Sequence, residues 1–252
     1  MSAPVFLAEP GTLDGVTDGA TYLLDGTEGR HAGVVQRRGP GERVDVVDGV
    51  GVRLLGVVGA VTPEGVLVHV QQRVVEPAPA VALVLVQALA KGDRDELAIE
   101  AATEVGVDVV VPWQAERSIV VWRGERAAKS RARWLGTVRA AAKQSRRARV
   151  PEVEVALDGR ALVERVRAVV AAGGAVLVLH EEASEPLALT ALPEAGECLV
   201  VVGPEGGIGE VELSRLVEAG ARAVRLGPHV LRTSTAGPVA LAMLAERLGR
   251  WA

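Results

Sequence analysis

Five short, mainly apolar runs constrain the fold of this chain more than any other feature of its sequence. They occupy residues 81–86, 107–111, 175–179, 199–202 and 223–226. A run without polar alternation suits a parallel strand whose two faces are both covered by helices. Stretches with helical spacing lie between most of these runs, and strands that alternate with helices are typical of an α/β domain. The sequence therefore predicts the α/β fold class, with a mainly parallel sheet.

The first 75 residues follow a different pattern. Their valine-rich runs, at residues 44–47, 52–58 and 66–70, are short and separated by glycine turns. Closely spaced turns without a long helical period favour a small β-barrel or sandwich. The proline-containing stretch at residues 76–80 then reads as a stiff linker. We expect one domain over residues 1–75 and a second over residues 76–252.

The composition excludes several classes of protein. A single cysteine, Cys198, rules out a disulfide within one chain and fits a reducing cytosol. No apolar run approaches the ~20 residues that span a bilayer, and the N-terminus lacks the basic region of a signal peptide. No histidine or cysteine pair has the spacing of zinc ligands, so we expect no metal. We therefore expect a soluble, cytoplasmic protein without a membrane contact.

Charge is distributed unevenly along the chain. The formal net charge is −4, yet residues 117–149 contain eleven basic side chains and one acidic side chain, Glu125. We call residues 117–149 the basic band. A basic band on an acidic protein is the footprint expected of contact with a polyanion. A solvated helix face has the same pattern, so charge alone leaves both interpretations open.

Three segments have apolar residues at helical spacing, which predicts the faces that they bury. After Asp93 these residues are Leu97, Ala101 and Val105, with Gly106 as the helix stop. In the basic band they are Trp134, Leu135, Val138, Ala141 and Ala142. In the last segment they are Ala236, Val239, Ala240, Met243 and Leu244. Ser234 or Thr235 is expected to cap that last helix, with Pro238 in its first turn.

Two glycine turns follow the last two apolar runs. The first is Gly203-Pro-Glu-Gly-Gly-Ile-Gly209 and the second is Leu226-Gly-Pro228. A strand, a glycine turn and a helix collect unpaired backbone N–H groups at a sheet edge, where a small polar ligand can dock. Neither turn is a Walker A loop or a dinucleotide fingerprint, and the chain has no Gly-x-Ser-x-Gly elbow. The two turns predict a ligand pocket built late in the chain.

These turns resemble the signature of RsmE-type methyltransferases. The C-terminal likeness is carried by Gly203-Pro-Glu-Gly-Gly207, Leu226-Gly227, Leu231-Arg-Thr233 and Thr235-Ala236. Upstream it is carried by Lys91-Gly-Asp-Arg94, Thr103-Glu-Val-Gly-Val107, Glu116-Arg-Ser118 and Gln144-Ser-Arg146. In the first domain it is carried by His31 with Arg37 and Arg38. The resemblance thus covers nearly the whole chain.

The resemblance implies an S-adenosylmethionine-dependent methyltransferase that acts on atom N3 of a uridine in small-subunit (16S) ribosomal RNA. The substrate would be naked RNA or the assembled subunit. Such proteins belong to the SPOUT class: their α/β domain ends in a trefoil knot, and they act as homodimers. Here this domain would follow an N-terminal PUA-like β-barrel that binds RNA. The implied cofactor-binding residues are Leu179, His180, Gly203, Pro204, Glu205, Gly206, Gly207, Leu226, Gly227, Val230 and Leu231.

The catalytic residues that the resemblance implies are Arg232 and Glu205. An arginine is not a base at neutral pH, so anion stabilisation or RNA positioning suits Arg232. Glu205 is expected to accept a proton or to bind the ribose of the cofactor, although a charge in a helix's first turn would look the same. Relatives usually have Glu where this chain has Ser234, which leaves the general base open. The expected RNA-binding residues are Arg30, Arg37, Arg38, Arg117, Arg146 and Arg147.

Two alternatives stay open from the sequence. A related SPOUT enzyme could methylate a ribose 2′-hydroxyl of tRNA or rRNA, although the PUA-like first domain and Lys91-Gly-Asp-Arg94 argue against it. A non-catalytic RNA-binding assembly factor could also have retained the fold. Cofactor binding separates the assembly factor from the two enzymes, and the position of the methyl group separates the enzymes from each other.

Overall fold

A computed structural model describes residues 3–251 of this chain. Met1, Ser2 and Ala252, which the expected domain ranges include, lie outside the described residues. The described residues form two compact units. The first comprises the described residues up to Ala78 together with Ala142–Val150, and the second comprises Pro79–Ala141 together with the described residues from Pro151 onward. The first change of unit lies close to the expected boundary, but residues 142–150 pack with the first unit.

The first unit is built on a five-stranded mixed sheet. Its strands are β1 (Val5–Leu7), β2 (Thr21–Asp25), β3 (Arg43–Val47), β4 (Val52–Thr62) and β5 (Gly65–Val75). A short helix, α1 (Gly26–Arg30), continues into a π-helical turn at His31–Val35. The strand order is β1-β3-β4-β5-β2, and only the β1–β3 pair is parallel. The valine-rich runs expected to be strands are β3, β4 and β5, and their inward-facing residues form an aliphatic core around Phe6.

Charged and polar contacts hold residues 142–150 in the first unit. The Lys143 ammonium lies 2.7 Å from both carboxylate oxygens of Glu28. Arg53 donates to the backbone oxygen of Arg146 at 2.8 Å, and Arg149 donates to that of Glu76 at 2.8 Å. Such pairings between distant residues have no periodic signal, so the sequence pattern assigned this segment to the other domain.

The second unit is built on an eight-stranded parallel sheet. Its strands are β6 (Val81–Ala88), β7 (Val109–Gln114), β8 (Glu152–Val153), β9 (Leu157–Asp158), β10 (Ala175–Leu179), β11 (Glu185–Pro186), β12 (Gly196–Val202) and β13 (Arg222–Arg225). The strand order is β11-β13-β10-β12-β6-β7-β8, and β9 also pairs with β7. All five of the mainly apolar runs contribute to these strands, so the expected α/β fold class is confirmed.

Helices cover both faces of this sheet. They are α2 (Arg94–Glu104), α3 (Glu125–Gln144), α4 (Gly159–Ala171), α5 (Glu210–Glu218) and α6 (Thr233–Arg247), with a 3₁₀ turn at Leu187–Leu189. Val84 and Val86 share a core with α4 and α5. The intervening Leu85 points to the opposite face, where a Cβ on Gly237 of α6 would stand 2.8 Å from its Cδ1. The close contact between α6 and the sheet therefore requires glycine at position 237.

The buried face of α2 differs from the expected one. Leu97 is 56% exposed, and the helix instead buries Asp95, Ala98, Ile99, Ala102 and Thr103. The expected stripe took every fourth residue, which drifts around a helix of 3.6 residues per turn. Small residues dominate the observed face because α2 packs directly against α6. Gly106, with φ of 104°, follows the helix as expected.

The start of α6 also differs from the expectation. Its N-cap is Arg232, and neither Ser234 nor Thr235 caps it, because both already lie inside the helix. Pro238 lies in the second turn rather than the first. Of the expected apolar face only Ala240 and Leu244 are buried, while Val239 is 36% exposed. The buried face is completed by Gly237, Pro238, Leu241 and Ala245.

The expected apolar face of the basic band is present in α3. Trp134, Val138, Ala141 and Ala142 are buried, and Leu135 is half-buried. The band itself is only partly a solvated face. Arg131 donates to the backbone oxygen of Val153 at 2.5 Å, and Arg133 pairs with Glu96 at 2.5 Å.

Candidate active site

A pocket lies at the carboxyl ends of β10, β12 and β13, within the second unit. Its volume is about 600 Å³, which is within the usual range for small-molecule sites. Three loops form it: residues 179–181 after β10, residues 202–208 after β12, and residues 225–233 after β13. Ligands of open α/β sheets bind at this edge, because strand ends and helix starts present backbone groups there.

The pocket brings together ten of the eleven residues expected to bind a cofactor. They are Leu179, His180, Gly203, Pro204, Glu205, Gly207, Leu226, Gly227, Val230 and Leu231. Gly206 is not part of the lining; it lies against Arg117. Arg232 lines the same pocket. Glu181, Ile208, Pro228 and His229, which belong to the same expected loops, also line it. The lining residues that the sequence did not indicate for the pocket are Arg94, Val202, Arg225, Thr233 and Ala236.

Glycine is present at three pocket positions for different structural reasons. A Cβ on Gly203 would stand 2.7 Å from Ile208 Cγ1, so the turn after β12 closes only with glycine there. Gly207 has φ of 71°, a left-handed conformation that side chains disfavour. A Cβ on Gly227 would meet no atom within 4 Å. A side chain at position 227 therefore costs the fold little and would take up space next to the pocket.

Thr233 connects the start of α6 to two strand ends. Its hydroxyl donates to the backbone oxygen of Gly203 at 2.8 Å and accepts from Gln87 Nε2 at 2.9 Å. Gln87 is fully buried near the end of β6. In the sequence, the signal for this contact is Gln87 itself, a single amide in an otherwise apolar strand. Because a buried polar group requires a hydrogen-bond partner, such a residue indicates a contact with another polar group.

Glu205 is held by groups that follow β6. Its Oε1 accepts from the backbone N–H of Lys91 at 3.1 Å and from Arg94 Nη1 at 3.0 Å. Burial pushes the pKa of Glu205 upward, but these donors and its own backbone N–H outweigh burial and lower the pKa below its ordinary value. A carboxylate stabilised in this way is a weak base. Its two hydrogen bonds instead suit Glu205 to joining its own loop to residues 91 and 94.

Cationic side chains outnumber carboxylates around the pocket. Three arginines, Arg94, Arg225 and Arg232, line it against two carboxylates, those of Glu181 and Glu205. Arg232 is exposed and lies at the N-terminal end of α6, where the helix dipole adds positive potential. The pocket can therefore stabilise negative charge.

Comparison with known proteins assigns the family. An RNA methyltransferase domain matches residues 76–245. The chain is 50% identical to the ribosomal RNA small subunit methyltransferase E of Mycobacterium bovis, over 92% of this chain and 89% of that protein. The chain belongs to the ribosomal RNA small subunit methyltransferase E family. The resemblance seen in the sequence and the expected enzyme class are thereby confirmed.

Solved structures of this family share the fold. The ribosomal RNA small subunit methyltransferase E of Neisseria gonorrhoeae, determined with bound S-adenosylmethionine, superposes with a TM-score of 0.83. It is 28% identical, and the match covers 98% of each chain. The Bacillus subtilis member is 36% identical over 62% of this chain and of its own length.

The arginines expected to bind RNA occupy different environments. Arg30, Arg37 and Arg146 are exposed. Arg38 pairs with Glu42 at 3.3 Å, and Arg117 donates to the backbone oxygen of Gly206 at 2.9 Å. Arg147 is half-buried and interacts with other groups of the chain. All of these except Arg117 belong to the first unit.

Two of the exposed arginines have a left-handed backbone. The φ angle is 53° at Arg37 and 60° at Arg146. Each follows the end of a helical segment, and the next residue donates to a carbonyl of that segment, Arg38 to Ala32 and Arg147 to Ala142. Glycine is the usual residue at such a position, because a Cβ costs about 1–2 kcal/mol there.

Neither a metal site nor a membrane span is found among residues 3–251. No group of three or more metal-ligating side chains occurs there. No helix in that range is both long enough and apolar enough to cross a membrane.

Proposed function

We propose that this chain transfers the methyl group of S-adenosylmethionine to atom N3 of a uridine in small-subunit ribosomal RNA. Methylation of this RNA with this cofactor follows from family membership, and the N3 position is the finer part of the proposal. The observation that carries it is the single pocket formed by the three strand-end loops. Since ribosomal RNA is the substrate, we propose a cytoplasmic location.

The residues around the pocket fit S-adenosylmethionine. The cavity of about 600 Å³ is large enough for a nucleoside with an amino-acid tail, and Gly227 leaves the loop after β13 free of a side chain. Backbone groups of residues 203–207 and 226–231 would hold the cofactor, and the carboxylate of Glu181 offers an acceptor. When bound, the cofactor supplies an electrophilic methyl group on a sulfonium centre.

The chain's own groups then act on the uridine. N3 carries a proton that must leave before the nitrogen is an effective nucleophile, and the resulting anion spreads onto the flanking carbonyl oxygens. The Arg232 guanidinium lines the pocket and would stabilise that anion by charge-assisted hydrogen bonds. Glu205, tied to Lys91 and Arg94, holds the loop rather than taking the proton, which we assign to water.

We further propose that the first unit is a PUA-like RNA-binding domain and that the second ends in a trefoil knot. For the knot, the supporting observation is the path of the last residues. After β13, which lies beyond β10 in the sheet, the chain returns to place α6 against β6 and β12. For the first unit, the support is the mixed sheet together with the exposed arginines at positions 30, 37 and 146.

We also propose a homodimer. Val239 on α6 is 36% exposed, and Val230 and Leu231 before that helix are 78% and 37% exposed. Exposed apolar side chains next to a catalytic pocket are typical of a subunit interface.

Nucleoside analysis of ribosomal RNA tests the proposed function in cells. Small-subunit RNA from a strain without the gene should lack one N3-methyluridine, and a restored gene should return it. Loss of a ribose-methylated nucleoside instead would favour the alternative SPOUT activity. An unchanged nucleoside profile would contradict methylation by this chain.

A further inference from the structure

The side chain of Arg117 lies along the outer surface of the 203–209 loop, on the side away from the pocket lining. Its Nη1 donates to the backbone oxygen of Gly206 at 2.9 Å. A Cβ on Gly206 would stand 3.4 Å from Arg117 Cβ, and Cβ atoms on Gly207 and Gly209 would stand 3.9 Å from its guanidinium nitrogens. The guanidinium thus follows the loop from residue 206 to residue 209, next to glycines that leave room for it.

The backbone that carries Arg117 is fixed independently. The N–H of Glu116 donates to Glu212 Oε1 at 3.1 Å, and Glu212 is buried in the first turn of α5. The Glu116 carboxylate lies 3.5 Å from Arg215 Nη1. Residues 116 and 117 are therefore attached to the helix that the 203–209 loop leads into.

Gln114 holds the rest of this segment in place. Its side-chain nitrogen donates to the backbone oxygen of Val120 at 3.0 Å, and its side-chain oxygen accepts from the N–H of Trp122 at 3.3 Å. The Trp122 ring packs edge-on against Trp134 at 5.1 Å between centroids. The segment that carries Arg117 is thus held by hydrogen bonds and by a ring contact on both sides of that residue.

The 203–209 loop has two further attachments. Thr233 holds the Gly203 carbonyl, and Lys91 with Arg94 holds the Glu205 carboxylate. With Arg117 on the Gly206 carbonyl, the loop is fixed at three successive points. A binding loop held in its bound shape before the ligand arrives costs less entropy on binding.

We infer that Arg117 is a positioning residue for the cofactor: it holds the 203–209 loop in the shape that forms the pocket. This assignment replaces the sequence-based expectation that Arg117 binds RNA. It rests on the proposed function for the identity of the ligand. The interaction is a hydrogen bond from a guanidinium to a backbone carbonyl. The positioning role therefore requires the planar donor group of arginine and not its charge alone.

Calorimetric titration with S-adenosylmethionine tests this inference on the full-length chain. Arg117→Gln should weaken cofactor binding about three- to tenfold, the range expected when one hydrogen bond is removed. Arg167→Gln is the matched control, since Arg167 pairs with Glu164 on the exposed surface of α4 and takes no part in the loop attachments described above; its affinity should equal that of wild type. RNA binding is measured in parallel as affinity for a small-subunit rRNA transcript against salt concentration, and Arg117→Gln should leave that slope unchanged.

The outcomes separate this inference from the proposed function. Wild-type protein that binds no S-adenosylmethionine would contradict the proposed function itself. Wild-type binding that Arg117→Gln retains in full, with a lowered salt slope for RNA, would overturn the positioning role and restore the RNA contact. If circular dichroism shows that Arg117→Gln is unfolded, Arg117→Lys is used; it keeps the charge but not the planar donors. Weakened cofactor binding by Arg117→Lys supports the inference, and wild-type affinity contradicts it.

Discussion

Arg232 and Ser234 are two positions apart but have different proposed roles. Arg232 lines the pocket at the start of α6, whereas Ser234 lies inside the helix and makes no capping bond. Arg232→Ala should lower kcat by ~10²–10³-fold, the usual cost of one well-aimed electrostatic donor. Ser234→Ala should change both the rate and the free energy of unfolding little, by less than about 0.5 kcal/mol.

Single-turnover methylation at saturating cofactor and RNA measures this difference. A Ser234→Ala variant without turnover, beside a nearly active Arg232→Ala variant, would reverse the two assignments. The sequence alone suggests a cap at Ser234, and hence a loss of about 1 kcal/mol on its removal. The structure removes that expectation because α6 begins at Thr233 with Arg232 as its N-cap, two residues before the expected cap, so Ser234 already lies inside the helix.

Gly227 and Gly206 form a second matched pair. Both were expected to approach the cofactor, but only Gly227 lines the pocket. Gly227→Val should weaken S-adenosylmethionine binding at least tenfold while the protein stays folded, because a Cβ there meets no atom within 4 Å. Gly206→Val should have a smaller effect, since that residue faces Arg117. A folded Gly227→Val variant with wild-type affinity in a calorimetric titration would contradict a cofactor contact of the 226–231 loop.

Arg37 and Arg146 have a left-handed backbone that disfavours a side chain, and a role in RNA binding would explain why arginine is present there. Replacing either by glycine should raise the free energy of unfolding by about 0.5–1 kcal/mol, because relief of the left-handed backbone outweighs the larger entropy that glycine loses on folding. The same change should lower the slope of RNA affinity against salt by about one unit for each phosphate group that the arginine neutralises. Asp93→Gly is the control, since Asp93 has φ of 58° in the second unit.

Denaturant unfolding and salt-dependent RNA binding give the two readouts for these variants. The control should become more stable without losing RNA affinity. Arginine variants that gain stability and keep the wild-type salt slope would show that these side chains do not contact RNA.

At the scale of elements, the hydroxyl of Thr233 joins α6 to β6 and to the loop after β12. Thr233→Val keeps the shape of the side chain but leaves the Gly203 carbonyl and the buried Gln87 amide without their hydroxyl partner. The variant should lose about 1–3 kcal/mol of unfolding free energy and bind cofactor more weakly. Thr233→Ser keeps the hydroxyl and should behave like wild type in urea unfolding and in titration. Thr233→Val with wild-type values in both assays would contradict this role.

Helices and strands were predictable from sequence where a strand is covered on both faces or where a helix buries residues at regular spacing. The run at residues 81–86 became the interior strand β6, and Trp134 and Val138 are buried in α3 as their spacing indicated. The face of α2 was not predictable from Leu97, because packing against the small residues of α6 decides which side is buried. The membership of residues 142–150 was not predictable either, since ion pairs such as Lys143–Glu28 join residues far apart in sequence.

The candidate site was predictable to a similar extent. Glycines and prolines at strand ends identified the loops, because those residue types report on backbone conformation. The partners of the loops, such as Arg94 on Glu205 and Arg117 on Gly206, required the structure, since a single charged residue does not reveal what it contacts.

At the scale of the whole molecule, the proposed homodimer depends on the exposed apolar part of α6. Val239→Glu should shift the protein toward a monomer at micromolar concentration, because a carboxylate in an apolar interface is costly to desolvate. Val211→Glu on α5 is the control, since Val211 is 60% exposed on another helix. Sedimentation equilibrium measures both variants. A wild-type protein that is monomeric and fully active would contradict the dimer.

The proposed function requires that this pocket direct a methyl group to the N3 atom of uridine. To test this, the purified protein is incubated with methyl-labelled S-adenosylmethionine and small ribosomal subunits from a strain without the gene, followed by nucleoside digestion and mass spectrometry. We predict that the label appears as N3-methyluridine, at one position, and that Arg232→Ala slows its appearance. Label on a ribose 2′-oxygen, or no transfer by protein that binds the cofactor, would contradict the proposed function.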